Sequence, residues 1–221
     1  MRPAFRLILP ALAWALTAAP GGAHPHIFVD TGLVLELKAD GTIGAVQVTW
    51  AYDDFYSLLV LQDMGLDDDA DGTLTEAETA RIQGWDLQWI EGYNGDLVMT
   101  GPDGAEVTLG PPEDLGIEVV EGRIISRHLR TLAEPVLAQG TEMRAFDPEF
   151  YTAYDMTRGV SLTGAASATA ACEARIVAPD QDEAYREAQE VMAAFPETAR
   201  DVPLLGHLFA ETVTIACAPQ D

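Results

Sequence analysis

Basic residues are scarce in this chain, and their scarcity argues against several classes of partner. The 221 residues include 12 lysines and arginines against 36 aspartates and glutamates, which gives a formal net charge of −24 at pH 7. Such a charge repels nucleic-acid phosphates and anionic lipid surfaces, and it concentrates cations near the protein. We therefore expect no nucleic-acid partner. A high net charge also serves solubility alone.

Long apolar runs are absent beyond the N-terminus. Arginines precede an apolar run over residues 7–19, and a stretch of small residues follows at 20–23. This order is typical of a secretory signal peptide, and the run is too short to span a bilayer. We expect cleavage of residues 1–23, a mature periplasmic protein that begins at His24, and no membrane insertion of the mature chain.

Cysteine is rare, and recognisable catalytic motifs are absent. Cys172 and Cys217 are the two cysteines, and both lie in strand-like segments. In an exported protein such a pair is expected to form a disulfide. A cysteine metal site is the alternative, but no CxxC motif and no neighbouring histidine supports it. The chain has no nucleophile elbow, no phosphate loop and no catalytic pair of recognised spacing. We therefore expect no enzymatic activity.

The chain does contain one acidic loop with a calcium-binding pattern. Residues 67–78 match the twelve-residue calcium loop of an EF-hand. The predicted calcium ligands are Asp67, Asp69, Asp71, the carbonyl of Thr73, Thr75 through a water, and Glu78 as a bidentate ligand. Gly72 supplies the positive φ of the sharp turn. The alternative is an acidic turn without metal, which would not need Gly72, Leu74 and Glu78 in register.

Helices are predicted on both sides of this loop, within an insert over residues 54–90. The first runs from Asp54 to Met64 and ends at Gly65 in the left-handed conformation. Thr75 and Glu78 have capping-box spacing, and the apolar stripe that follows predicts a second helix to about Ile90. Because the loop is solitary, we expect a structural calcium site that clamps two helices, not a switch.

Strand-like alternation fills most of the remaining chain. A hairpin is predicted over residues 26–52, with its turn at Asp40 and Gly41. Further strands are predicted at 96–100, 105–109, 115–121, 123–131, 141–147, 157–163, 166–177 and 210–218, and a helix at 180–194. We expect a single α+β domain over residues 24–221, built on a sandwich-like antiparallel sheet that carries the helical insert.

A second metal site is predicted at the expected mature N-terminus. A terminal His24 can chelate through its α-amine and Nδ1 together, and His26 and Asp30 share one strand face. This ligand set suits zinc, nickel, cobalt or copper. Pro25 has no amide hydrogen, which excludes the square-planar amino-terminal copper and nickel motif and leaves a histidine-brace-like site as an alternative. The other alternative is a solvated terminus that binds nothing.

The other two histidines, His128 and His207, are predicted to be structural. Either one could complete a three-histidine site with the terminus, but nothing in the sequence places them there.

Several motifs together resemble a family of exported bacterial proteins described as periplasmic components of ABC-type transport systems. They are residues 24–30, 48–57, 67–78 and 146–151, together with Cys172. The resemblance implies periplasmic handling of a divalent transition metal. Members of this family look like partners of NicO-type nickel/cobalt permeases, and some are linked to zinc acquisition. The chain nevertheless lacks the repeated βαβ pattern of a two-lobed solute-binding protein.

The sequence therefore favours a non-enzymatic periplasmic metal-binding accessory protein of a transition-metal transport system. One alternative is a calcium-stabilised interaction module that docks on a membrane permease without binding transition metal itself. Another is a copper protein with a histidine brace.

Overall fold

A computed structural model describes residues 25–196, 199 and 202–218. The predicted signal peptide and His24 lie outside these residues. In the described part, β-sheets and a few helices surround one hydrophobic cluster, so the predicted α+β class is confirmed. Among the helices described, none is long and apolar enough to cross a membrane.

The strands dominate the fold. They are β1 (Ile27–Leu37), β2 (Thr42–Tyr52), β3 (Leu97–Thr100), β4 (Leu109–Val120), β5 (Arg123–Leu137), β6 (Glu142–Ala145), β7 (Thr152–Asp155), β8 (Val160–Gly164), β9 (Cys172–Val177) and β10 (Thr212–Cys217). The helices are α1 (Asp54–Met64), α2 (Glu76–Ile82), α3 (Ala166–Ala171) and α4 (Gln181–Ala193), with 3-10 turns at Trp85–Leu87 and Gly206–Phe209.

The strands form two sheets. The larger has the order β4-β5-β2-β1-β7, and β8 also pairs with β1; the smaller has the order β3-β6-β10-β9. The pairing is antiparallel as predicted, except that β7 and β8 run parallel to β1 along successive parts of its edge. That edge begins at Ile27, which pairs with Thr152.

Alternating side chains of the hairpin β1–β2 supply the centre of the core. Leu33 and Leu35 in β1 and Val46 and Val48 in β2 are almost completely buried. Met143 of the smaller sheet belongs to the same cluster, so both sheets bury their apolar faces in one core. The register of the hairpin follows the apolar alternation, because a slip of one residue would turn every buried side chain to solvent.

The local structure differs from the prediction in several elements. β7 (Thr152–Asp155) was not predicted as a strand, and β4 and β5 are longer than predicted. The helix after the acidic loop ends at Ile82 and not near Ile90, because Gly84 turns the chain in the left-handed conformation (φ 66°). Residues 105–108 contribute only an isolated bridge between Thr100 and Glu106 in place of a strand, and Leu109 already belongs to β4. Residues 166–171 form α3 before β9 begins, in keeping with the high helix propensity of their alanines.

The predicted disulfide between Cys172 and Cys217 is present. The two cysteines are directly opposed in the antiparallel pair of β9 and β10. The bond therefore links neighbouring strands of the smaller sheet near the end of the described chain.

Candidate metal centre

The acidic loop connects α1 to α2, and both of its ends have well-defined caps. Gly65 ends α1 in the left-handed conformation (φ 58°), as predicted. Thr75 begins α2 with a complete capping box, in which its side chain accepts the amide of Glu78 and Glu78 accepts the amide of Thr75. Leu74 packs against the core. The two helices therefore hold the ends of the loop in place.

Three aspartates converge inside the loop. Carboxylate oxygens of Asp67, Asp69 and Asp71 lie within 4.8 Å of one another. Across the described residues, no other set of three or more His, Cys, Asp or Glu side chains is brought together in this way. The Asp67 carboxylate also accepts the amide of Asp71 at 3.0 Å and that of Gly72 at 3.3 Å, so the loop folds over its own first carboxylate.

Glu78 closes the loop onto its first residue. One carboxylate oxygen accepts the amide of Asp67 at 3.1 Å, and the other accepts the amide and hydroxyl of Thr75 at 2.9 and 2.7 Å. Hydrogen bonds from Thr75 lower the pKa of Glu78, and those from Thr73 lower the pKa of Asp71. Both carboxylates are therefore ionised at neutral pH. Helix capping alone explains the Thr75–Glu78 pair, whereas the three converging aspartates have no such role.

The loop rests on the turn between β4 and β5. Gly72 has a φ of 79°, and its carbonyl accepts the amide of Gly122 at 3.1 Å. A Cβ atom at Gly72 would lie 3.3 Å from that amide nitrogen. Glycine is thus required here both for its backbone conformation and for the close approach of the two chains.

At the N-terminal site, the structure describes His26 and Asp30 but not His24. His26 is exposed just before β1, its ring centroid lies 4.8 Å from that of Tyr151, and its amide donates to the Tyr151 carbonyl. The Asp30 carboxylate accepts hydrogen bonds from Arg123 at 2.7 Å and Thr157 at 2.6 Å. Burial raises the pKa of Asp30, but these partners outweigh it and the pKa is lowered. A metal at Asp30 would have to share this carboxylate with Arg123.

The two remaining histidines lie in packed surroundings. His128 is buried between Trp50 and Trp89, at ring-centroid distances of 4.7 and 5.6 Å. Burial, together with the charge of Arg130, lowers its pKa to about 4, so its imidazole is neutral at pH 7. The His207 ring lies 6.2 Å from that of Phe146. Neither belongs to a group of three ligand side chains in the described part of the chain.

The sequence reasoning missed two mostly buried carboxylates, Asp86 and Asp96. Both lie in the segment after α2, where the sequence predicts a helix to about Ile90 and a strand from residue 96. Each carboxylate accepts hydrogen bonds from two side-chain hydroxyls. Tyr52 is one of the donors to Asp86, and Tyr154 is one of the donors to Asp96. The clustering of tryptophan, tyrosine and aspartate over residues 85–96 was the signal that could have drawn attention to them.

Comparison with known proteins identifies the family. A family model described as "Protein of unknown function (DUF1007)" matches residues 9–217, which is nearly the whole chain. A search of curated proteins found no match. On the extent of the family match, the chain belongs to the family described as "Protein of unknown function (DUF1007)".

Proposed function

We propose that this protein is a non-enzymatic, periplasmic, divalent-metal-binding accessory protein of a transition-metal transport system. Zinc, nickel or cobalt is the transported ion, and the acidic loop holds a structural calcium ion. The observation that carries metal binding is the convergence of Asp67, Asp69 and Asp71 within 4.8 Å. The disulfide supports an oxidising compartment such as the periplasm.

Electrostatics and ligand chemistry favour a cation in the loop. None of the ion pairs among the described residues involves the three converging aspartates, so their mutual repulsion is not offset by a basic side chain. A divalent cation would convert this repulsion into attraction. Hard carboxylate oxygens, with a backbone carbonyl at Thr73, suit calcium better than the softer transition metals.

The transition-metal role depends on His24 and His26 and on the family resemblance. His26 is exposed, so its imidazole is accessible to an ion delivered from solution. Because Asp30 is held by Arg123, the proposed ligands are mainly the α-amine of the mature terminus and the two imidazoles. A membrane permease of the NicO type is the proposed partner that exchanges the ion.

Titration of the exported, correctly processed protein tests this function. Calcium is added first, and zinc, nickel, cobalt and copper are then titrated separately by calorimetry. Saturable binding of one transition metal that is lost in His26→Ala supports the proposal. Identical titrations of the native protein and His26→Ala would contradict it. Copper as the preferred metal would favour the histidine-brace alternative.

A second candidate function is a calcium-stabilised docking module that binds a permease but no transition metal. It is favoured by three exposed apolar side chains on α1, Phe55, Leu58 and Leu59, which are 66, 49 and 46% exposed. Their spacing places them on one side of a helix that leads directly into the acidic loop. Two results together would favour this candidate: the native protein binds no transition metal, and the Phe55→Ser variant no longer associates with the permease.

A further inference from the structure

An aromatic pocket of about 300 Å³ opens beside the start of β1. Its aromatic lining residues are Trp50, Tyr52, Tyr56, Trp85, Tyr93 and Tyr154. The rings of Tyr52, Tyr56 and Trp85 form one group, with centroids 5.5 to 6.2 Å apart, and Trp50 and Tyr154 are 5.9 Å apart. The volume suits a small organic molecule, and an aromatic lining with a few polar groups is common in pockets that bind such molecules.

Two carboxylates line the same pocket. The Asp86 carboxylate accepts the hydroxyls of Tyr52, at 2.9 Å, and Ser126, and the Asp96 carboxylate accepts those of Tyr93 and Tyr154, each at 2.9 Å. No lysine, arginine or histidine among the described residues forms an ion pair with either one. Burial is the main cause that raises the pKa of both, as expected for carboxylates without a nearby cation.

We propose that this pocket binds a small organic cation of the quaternary ammonium class. Aromatic faces attract such cations through the ring quadrupole, and the attraction is strongest where water is excluded. Asp86 and Asp96 supply negative charge for the bound cation, and no basic side chain among the described residues forms an ion pair with them. This inference does not depend on the metal-binding function.

The aromatic lining of the pocket suits the methyl groups of a quaternary cation. One oxygen of each carboxylate already accepts two hydroxyls, so these oxygens act on the ligand through their charge. The other oxygen of Asp86 is buried and accepts no hydrogen bond from the described residues. Methyl groups need no acceptor, and they contact ring faces directly.

A metal ion fits the pocket less well. Divalent ions need several oxygen or nitrogen donors at close range. Asp86 and Asp96 belong to no group of three ligand side chains in the part of the chain that the structure describes.

Calorimetric titration of calcium-saturated protein with choline and with tetramethylammonium tests the proposal. The matched ligand control is 3,3-dimethylbutan-1-ol, which has the shape of choline without its charge. We expect saturable binding of choline at least tenfold tighter than that of the neutral alcohol. Absence of saturable binding for both cations, or equal affinity for choline and the alcohol, would overturn the proposal.

Variants separate the charge from the rings. Asp96→Asn removes a charge while keeping the shape, and Tyr93→Leu removes the ring of a side chain that is 39% exposed, so its loss should be tolerated. We expect each to weaken choline binding at least fivefold. Glu113→Gln removes an exposed charge on β4, outside the pocket, and serves as the matched control with unchanged affinity. Unchanged choline affinity in both pocket variants, with native circular dichroism, would contradict the site.

Discussion

The amide of Gly122 donates a hydrogen bond to the carbonyl of Gly72 at 3.1 Å and thereby fastens the acidic loop to the turn between β4 and β5. The two glycines are distant in sequence, yet a Cβ atom on Gly72 would lie only 3.3 Å from the Gly122 amide nitrogen. The candidate calcium loop is therefore supported by the larger sheet as well as by the two helices at its ends.

Gly72→Ala should destabilise the protein by more than the usual cost of alanine at a position with positive φ. The matched control is Gly104→Ala, because Gly104 has a φ of 81° but no atom within 4 Å of the added Cβ. Both variants lose roughly 1 kcal/mol to backbone strain, and Gly72→Ala loses more through the Gly122 contact. Urea unfolding measures the difference, and equal losses would show that the contact is unimportant.

Calcium should raise the melting temperature of the native protein. Saturation at ~100 times the dissociation constant adds about 2.7 kcal/mol, which corresponds to a rise of roughly 5–10 °C for a domain of this size. Asp69→Asn should reduce this rise, because it removes one converging carboxylate that makes no hydrogen bond within the described structure. Asp103→Asn, on an exposed turn elsewhere, should keep it.

Scanning calorimetry with calcium and with a chelator makes that comparison. A melting temperature that does not respond to calcium would identify the loop as an ordinary acidic turn.

One residue added before His24 should weaken transition-metal binding at least tenfold, or about 1.4 kcal/mol. The addition moves the α-amine out of chelating position and leaves both imidazoles in place. Asp30→Asn should have a smaller effect on affinity, because Asp30 is already occupied by Arg123. Competition with a chromogenic chelator measures all three proteins. Equal affinity of the extended and native proteins would exclude participation of the α-amine.

His128 should make the protein less stable as the pH falls. Its pKa is about 4 in the folded protein, against 6.5 for an ordinary histidine, so the unfolded chain binds the proton first on acidification. The contribution of neutral His128 to the free energy of unfolding is fully present above pH 6.5. It is lost between pH 6.5 and about 4, and it amounts to about 3 kcal/mol. The same range contains carboxylate titrations, so a variant must isolate this contribution.

His128→Gln supplies that comparison through urea unfolding at several pH values. The difference in stability between native protein and variant should shrink steadily from pH 6.5 to 4. A constant difference over this range would mean that His128 does not titrate as described.

Local features of the fold followed from neighbouring residues. The bounds of α1, its end at Gly65 and the capping box of Thr75 and Glu78 were all predicted correctly. Each depends on hydrogen bonds within a few residues, and on glycine where φ is positive. The hairpin β1–β2 was also predictable, because its period-2 alternation and its turn lie in one continuous segment.

The second helix was wrong beyond Ile82 because an apolar stripe does not reveal which apolar side chains pack elsewhere. Trp85 and Trp89 have helical spacing, but they pack with Tyr52 and Trp50 of β2. A left-handed turn at Gly84 sends them there. Tertiary packing of large aromatic rings outweighed local helix propensity, which is worth only tenths of a kcal/mol per residue.

The α+β class, the disulfide partners and the acidic loop were predictable from the sequence, because they depend on periodicity, on cysteine number and on a short motif. The three-dimensional arrangement of the strands was needed to establish the pairing of Asp30 with Arg123, 93 residues away, and the meeting of Asp86 and Asp96 in an aromatic pocket. Such contacts depend on strand order and on the register between distant segments. The order of residues along the chain does not specify which distant side chains these pairings bring together.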